Sequence, residues 1–193
     1  MTRIIAGFLR GRQIHIPANL PVRPTTDRAR EALFSSLDAL GGFSGKRVLD
    51  LCAGTGTLGF EALSRDAEHV VFVDQHPQVV KHLHQHAQQW KMEDRISIIR
   101  KAAVPFATHF QGIPFDLILA DPPYDIPALD KWPALLMTES ILHPSGILVI
   151  EHDKKWLNTF SSHPNCFKQK VLGTVHFSYF SADYHASEEK SYL

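Results

Sequence analysis

Cysteine is nearly missing: Cys52 and Cys166 are the two thiols in 193 residues. Two cysteines cannot build a disulfide framework, and neither lies in a CxxC pair or a His/Cys cluster, so a reduced, cytoplasmic setting is expected. Long apolar runs are missing as well. Apolar stretches such as residues 115–120 and 146–150 fall far below the roughly 18 residues of a membrane span, and residues 1–20 hold no continuous leader-like region. A soluble protein without a membrane partner is expected. Net charge is absent too: 20 basic residues balance 20 acidic ones, which excludes a uniformly basic coat for nucleic acid. Metal motifs are wanting. His82, His84 and His86 fall on one predicted helix, but only the outer two share a face and no HExxH or carboxylate triad joins them. A solvated helix surface without metal is expected there. No internal repeat or low-complexity segment interrupts the chain.

What is present suffices for the core of one domain, with 44% hydrophobic residues. The neutral mean conceals an asymmetry. Residues 1–30 carry Arg3, Arg10, Arg12, Arg23, Arg28 and Arg30 against Asp27 alone, a balance of +5, while residues 31–193 hold 14 basic and 19 acidic groups, or −5. A basic front end on an acidic body suits a local handle for phosphate; a solvated arginine-rich terminus would have the same composition.

Two alternating segments, 3–7 and 12–17, flank residues 8–11 and predict a β-hairpin with glycine at each shoulder and arginine along the ribbon. Pro21 and Pro24 extend the chain to Thr25 or Thr26, either of which can cap a helix with apolar positions Ala29, Ala32, Leu33, Leu37 and Leu40. Gly41-Gly42 ends that helix. From Lys46 the pattern becomes short apolar strands alternating with amphipathic helices, as in parallel βαβ units. Strands are predicted at 46–51, 69–74, 95–100, 115–120 and 146–151, and helices at 57–64, 77–90, 103–109 and 128–138. Residues 167–172 and 174–180, split by Gly173, predict an antiparallel hairpin at the sheet's edge, and residues 181–193 are polar and expected to fray. The chain thus divides into a basic hairpin extension, 1–24, and an α/β domain, 25–193, with a mostly parallel seven-stranded sheet.

Gly54-Thr55-Gly56-Thr57-Leu58-Gly59 fits G-x-G-x-x-G after a strand, and Asp74 ends the next strand about 20 residues on, as a dinucleotide fingerprint requires. A nicotinamide oxidoreductase is one reading. Asp50, just before the turn, favours another: a carboxylate facing the crevice would repel a pyrophosphate but attract the amino group and sulfonium of S-adenosylmethionine. Gly54 and Gly56 would then clear room for the ligand, and Asp74 would accept from its ribose hydroxyls. Asp50 could instead hydrogen-bond its own turn. Cys52 has no placed histidine partner and reads as a small packed residue.

The run 115–120 ends in Asp121-Pro122-Pro123-Tyr124. An exocyclic purine amine is a poor nucleophile, so a catalyst must accept hydrogen bonds from it and hold its nitrogen toward the electrophile. Asp121 and the Pro122 carbonyl can do this, the paired prolines stiffen the loop, and Tyr124 offers a face for stacking worth about 1–3 kcal/mol. The target base must be unpaired or flipped out. Transfer from a sulfonium needs no metal, because the leaving group is already activated.

The order of Arg10-Gly11-Arg12, Arg23-Pro24-Thr25-Thr26-Asp27-Arg28 with Arg30-Glu31, Asp50-Leu51-Cys52-Ala53-Gly54-Thr55-Gly56 and Asp121-Pro122-Pro123-Tyr124 resembles the RsmD family of bacterial ribosomal RNA methyltransferases over about residues 3–180. The resemblance implies a class I, Rossmann-like methyltransferase moving a methyl from S-adenosylmethionine to N2 of one guanine in 16S rRNA. The substrate would be the small subunit or its assembly intermediate, the enzyme a cytoplasmic monomer, and S-adenosylhomocysteine the second product. Thr26, Asp50, Cys52, Ala53, Gly54, Gly56, Asp74, Gln75 and Ala102 would then surround the donor, Asp121 to Tyr124 the target amine, and Arg3, Arg10, Arg12, Arg23 and Arg28 the RNA. Lys101 departs from the family pattern, since it cannot accept from the adenine amine, and adenine recognition falls to the Ala102 backbone. A DNA adenine-N6 methyltransferase uses the same four-residue loop and is the nearest alternative.

Overall fold

The computed structural model describes residues 2–15 and 26–184. A short ribbon, β1 (Thr2–Arg3) paired with β2 (Gln13–Ile14), precedes α1 (Asp27–Ala39). The main sheet follows as β3 (Arg47–Leu51), α2 (Thr57–Ser64), β4 (His69–Asp74), α3 (Pro77–Trp90), β5 (Ile96–Arg100), α4 (Ala103–Thr108) and β6 (Phe115–Ala120). It continues through α5 (Trp132–Leu136), β7 (Leu142–His152), α6 (Leu157–Ser161), β8 (Cys166–Leu172) and β9 (Val175–Ser181). The seven strands stand in the order β5-β4-β3-β6-β7-β9-β8, parallel through β7, with β9 antiparallel to both neighbours. Crossovers run to one side of β3 and then to the other, so the switch lies between β3 and β6.

Alternate residues of the central strands feed opposite layers, as a sheet covered on both faces demands. Val48, Val70 and Phe72 join Phe34, Phe60 and Leu83 in one core; Leu49, Leu51, Val71 and Val73 join Phe106, Trp132 and Phe160 in the other. In the α/β domain three elements differ from expectation. The helix expected at 128–138 is a 3₁₀ turn, Leu129–Lys131, followed by the five residues of α5, because Pro133 lacks an N–H and is tolerated only in a first turn. Strand β7 starts at Leu142 rather than 146, and α6 was not foreseen, being too short for a period to show.

The ribbon is shorter than 3–7 and 12–17 predict, and the reason is a competitor for its hydrogen bonds. The fully buried Glu61 carboxylate accepts from Ile5 N at 2.6 Å and Ala6 N at 3.0 Å, taking donors that a longer ladder would use. Ser64 adds three contacts, its Oγ accepting from Leu9 N at 2.9 Å and donating to Ala6 O, and its carbonyl accepting from Phe8 N at 3.0 Å. Gly7 is required at this junction. Its φ is 77°, and a Cβ there would fall 1.7 Å from the Ser64 oxygen. Ile4, Leu9 and Ile14 sink into the same core as α2. Thr26 caps α1, accepting from Ala29 N at 3.3 Å, and residues 16–25, which include Arg23, Pro21, Pro24 and Thr25, lie outside the described residues.

The turn from β3 to α2 is built by close packing. A Cβ on Gly56, whose φ is 74°, would meet Leu83 Cδ2 at 2.3 Å, and one on Gly59 would meet Phe72 Cε1 at 2.3 Å. Gly56 therefore serves the approach of α2 to its neighbours. Asp50 takes the second of the two readings open to it, a hydrogen bond within its own turn. It is 1% exposed, and its Oδ2 accepts from Gly59 N at 2.8 Å inside the fold. Burial pushes its carboxyl up to about 8, the Gly59 N–H opposing the shift and the charge of Asp74 adding to it.

His82 and His86 contradict the solvated face expected of them. Each is 4% exposed, their rings pack edge-on at 4.5 Å, and His86 lies 4.9 Å from Trp90. Burial, with His86 adjacent, pulls His82 down to about 4, so it is a neutral core residue at physiological pH.

Two outcomes are expected from these contacts. Glu61→Ala strands two backbone donors and Arg65, whose Nε lies 2.9 Å from the carboxylate, and should cost about 3 kcal/mol, lowering the thermal midpoint by roughly 10 °C. Asp50 binds a proton more tightly folded than unfolded, so its contribution falls as pH rises from about 4 to about 8. Asp50→Asn, which keeps an acceptor for Gly59, should flatten that decline in denaturant titrations made across the window.

Candidate active site

The C-terminal ends of the parallel strands open into a cleft of about 620 Å³. Each wall comes from a different strand, in sheet order. Lys101, Ala102 and Ala103 follow β5; Asp74, Gln75 and His76 close β4; Cys52 follows β3; Asp121, Pro122, Pro123 and Tyr124 follow β6; Glu151 stands near the end of β7. Thr174 and Val175, from the β8–β9 turn, close the far end, and Thr26 reaches in from α1.

The glycine turn and the proline loop are held side by side by backbone. Ala53 N donates to Val73 O at 3.0 Å, tying the turn to β4, and Asp121 N donates to Leu51 O at 3.2 Å, tying the loop to β3. Asp74 fastens both turns at its end of the cleft, its Oδ2 accepting from Gly54 N at 3.0 Å and its Oδ1 from His76 N at 2.9 Å. A carboxylate has about four lone-pair sites, so these two bonds leave it able to accept from a ligand. In the loop, Pro122 is buried and Ile126 N closes a turn on Pro123 O at 3.0 Å. Tyr124 is half-buried, its hydroxyl donating to Glu151 Oε1 at 3.4 Å while Lys155 Nζ donates to its carbonyl at 2.5 Å.

Of the residues expected around a donor, Thr26, Cys52, Asp74, Gln75 and Ala102 line the cleft with the whole of Asp121 to Tyr124. Ala53, Gly54 and Gly56 shape the turn without lining it, and Asp50 lies beneath it. Cys52 takes a positive φ of 64°, and burial, then the charges of Asp74, Asp121 and Asp50, push its thiol up, so it stays protonated and is no nucleophile. Asp74, Asp121 and Glu151 together make the cleft acidic, an environment for cationic and hydrogen-bond-donating ligands.

Arg3, Arg10, Arg12 and Arg28 are exposed, and Arg3 pairs with Asp27 at 3.5 Å; Arg23 lies outside the described residues. Arg30, part of the same motif, is fully buried, its Nη2 donating to Arg3 O at 2.9 Å and Asp27 Oδ1 at 2.7 Å. It is a structural residue. Among the described residues no group of three or more His, Cys, Asp or Glu could hold a metal ion. Sequence reasoning missed Glu151, Thr174 and Val175. Glu151 had a signal: like Asp74 and Asp121, it is an acid closing an apolar run. Thr174 and Val175 had none, since the fold-back of β9 alone brings them there.

The family described as conserved hypothetical protein 95 matches residues 2–181. Ribosomal RNA small subunit methyltransferase D of Haemophilus influenzae is 32% identical over 177 residues, covering 91% of this chain and 91% of that protein. The protein of the same name from Escherichia coli strain K12 is 30% identical over 174 residues, covering 90% and 86%. Among solved structures, a hypothetical protein from Thermus thermophilus aligns with a TM-score of 0.77 at 26% identity, over 94% of this chain and 99% of that one. An RNA methyltransferase from Salinibacter ruber, in complex with S-adenosyl-L-homocysteine, shares the fold at a TM-score of 0.63 and 14% identity, over 83% and 94%. The α/β fold is that of the methyltransferases, and with a family match across nearly its whole length the chain belongs to the RsmD family.

Proposed function

We propose that this protein transfers a methyl group from S-adenosylmethionine to the exocyclic N2 of a guanine in 16S rRNA. The observation that carries the reading is the shared cleft: the Asp121 to Tyr124 loop stands beside Asp74, Gln75 and Ala102 rather than across the sheet from them. The relatives named ribosomal RNA small subunit methyltransferase D supply the substrate class. A cytoplasmic monomer acting on the small subunit or an assembly intermediate completes the reading.

The acidic walls fit a ligand bearing an ammonium and a sulfonium, and their position at the switch between β3 and β6 fits an adenosine group. Asp74 would accept from the ribose hydroxyls, the Ala102 N–H would meet the adenine, and Thr26 and Cys52 would wall the methionine end. When bound, the cofactor supplies a methyl on a positively charged sulfur, an electrophile that needs no further activation. The chain's contribution is position. Asp121 and the Pro122 carbonyl accept the two amine hydrogens and aim the nitrogen's lone pair at the methyl carbon, while Tyr124 stacks against the base. S-adenosylhomocysteine would leave as the other product, and the methylated nitrogen would give up one of its two hydrogens as a proton, for which the Asp121 carboxylate is the acceptor in place.

Asp121→Ala should leave donor affinity within about threefold of wild type by calorimetry and lower turnover at least about 100-fold. Retained turnover would reject the role given to Asp121. Labelled donor incubated with small-subunit particles, free RNA and DNA should label the particles; label in DNA adenine would favour the adenine-N6 reading. Reversing Arg10 and Arg12 to Glu should weaken RNA binding and reduce the salt slope by about 2, read from affinities at several salt concentrations.

A further inference from the structure

We infer that Glu151 is the residue that selects guanine over adenine, by accepting the N1–H of the target base; this rests on the guanine-N2 reading above. Sheet order places it. Asp74 and Gln75 close β4 on one side of the β3–β6 pair, and Glu151 stands on β7 at the other, so the Asp121 to Tyr124 loop lies between them. With the donor held at the Asp74 end, the base enters from the Glu151 end.

The side chain's surroundings give the carboxylate a task. Glu151 is 5% exposed yet lines the cleft, and its Oε1 takes a long contact of 3.4 Å from the Tyr124 hydroxyl. The next residue on β7, His152, faces the other way and bonds Ser178 Oγ at 2.7 Å, as strand alternation requires. A carboxylate offers about four lone-pair sites, so one that lines the cleft can take a ligand's hydrogen alongside the Tyr124 hydroxyl.

The chemistry of the base completes the assignment. On guanine, the N2 amine is flanked by N1–H, so the edge facing the loop is a continuous row of donors. Asp121 and Pro122 take the amine, and the second carboxylate takes N1–H. On adenine, the atom beside the amine is an unprotonated N1, whose lone pair would face the Glu151 carboxylate. A site built to accept a hydrogen bond rejects the analogue that lacks the hydrogen, because its buried acceptor is left unmatched.

The probe is 2-aminopurine, which keeps the 2-amine but has no hydrogen on N1. Small-subunit particles are reconstituted with guanine or 2-aminopurine at the methylated nucleotide, and kcat/KM is measured with the full-length protein, the methylated nucleoside being identified by mass spectrometry. Wild type should prefer guanine by about 100-fold. Glu151→Ala should bring that ratio close to ~1. Glu151→Gln, which keeps an acceptor oxygen and the side-chain volume, should restore much of the preference and serves if the alanine variant does not fold. Tyr124→Phe should slow both substrates and keep the ratio. An unchanged ratio in Glu151→Ala, with both substrates slowed alike, would mean that Glu151 only props Tyr124 and would overturn the inference. A wild type that treats both bases equally would overturn it too. If wild type forms no N2-methylguanosine on the guanine particle, the parent reading falls with it, and the product analysis distinguishes that case.

Discussion

The hydrogen bond from Asp121 N to Leu51 O, 3.2 Å long, is the contact on which the site depends. It is the last rung of the β3–β6 ladder, and it lies where the sheet's winding reverses, so no crossover helix covers the strand ends there. One residue beyond that rung on each strand, the chain must turn. On β3 the turn is glycine-rich and folds back into α2; on β6 it is stiffened by two prolines. Because both turns leave from paired positions, their separation is set by strand spacing, about 4.8 Å, rather than by flexible side chains. The two turns are therefore held side by side at one edge of the sheet.

The charges follow from the same geometry. Parallel strands deliver their C-terminal residues to one edge, and here three of the strands end at or beside an acid that lines the cleft: Asp74, Asp121 and Glu151. Massed carboxylates would be unfavourable for a polyanion, and the molecule separates the two needs by placing its exposed arginines on the ribbon and the start of α1. Asp50, which lies beneath this edge, meets the crowding differently. Burial and the neighbouring Asp74 hold its carboxyl up to about 8, so it serves as a hydrogen-bonded strut for α2 and not as another charge in the cleft.

Much of the fold was legible because periodicity and punctuation agreed. Pro77 at the first turn and the apolar stripe after it gave α3 its bounds, and the apolar runs gave β3, β4 and β6 within a residue. The loop and the turn were legible as motifs, since their residue types are dictated by backbone geometry. What the sequence could not reveal is direction in three dimensions. The carboxylate of Asp50 points inward, His82 and His86 turn their shared face to the core, and Arg30 is buried while Arg28, two residues away, is exposed. A polar residue's side of the sheet or helix depends on what packs there, and for α3 the packing partners Phe60 and Trp90 are 26 and 4 residues from His86. Glu151 closes an apolar run as Asp74 and Asp121 do, but that signal assigns it to the cleft only once β7 is known to lie beside β6.

The first turn of α1 joins the two surfaces that the molecule keeps electrically apart. Thr26 caps the helix and lines the cleft; Asp27, the next residue, pairs with both Arg3 of the ribbon and the buried Arg30. Arg30 closes the circuit by donating to the Arg3 carbonyl. Burial pulls its guanidinium down, but Asp27 and Glu61 oppose that shift, and Glu61 is the same side chain that holds Ile5 and Ala6. A guanidinium is the group suited to this place, since its fixed fork can reach a carbonyl and a carboxylate at once and keeps its proton in a buried site where an ammonium gives it up. Ribbon, helix cap and cleft wall therefore share one bonded cluster. The exposed arginines of the ribbon are thereby held at a set distance from the cleft, so the basic surface and the acidic one keep a fixed relation to each other.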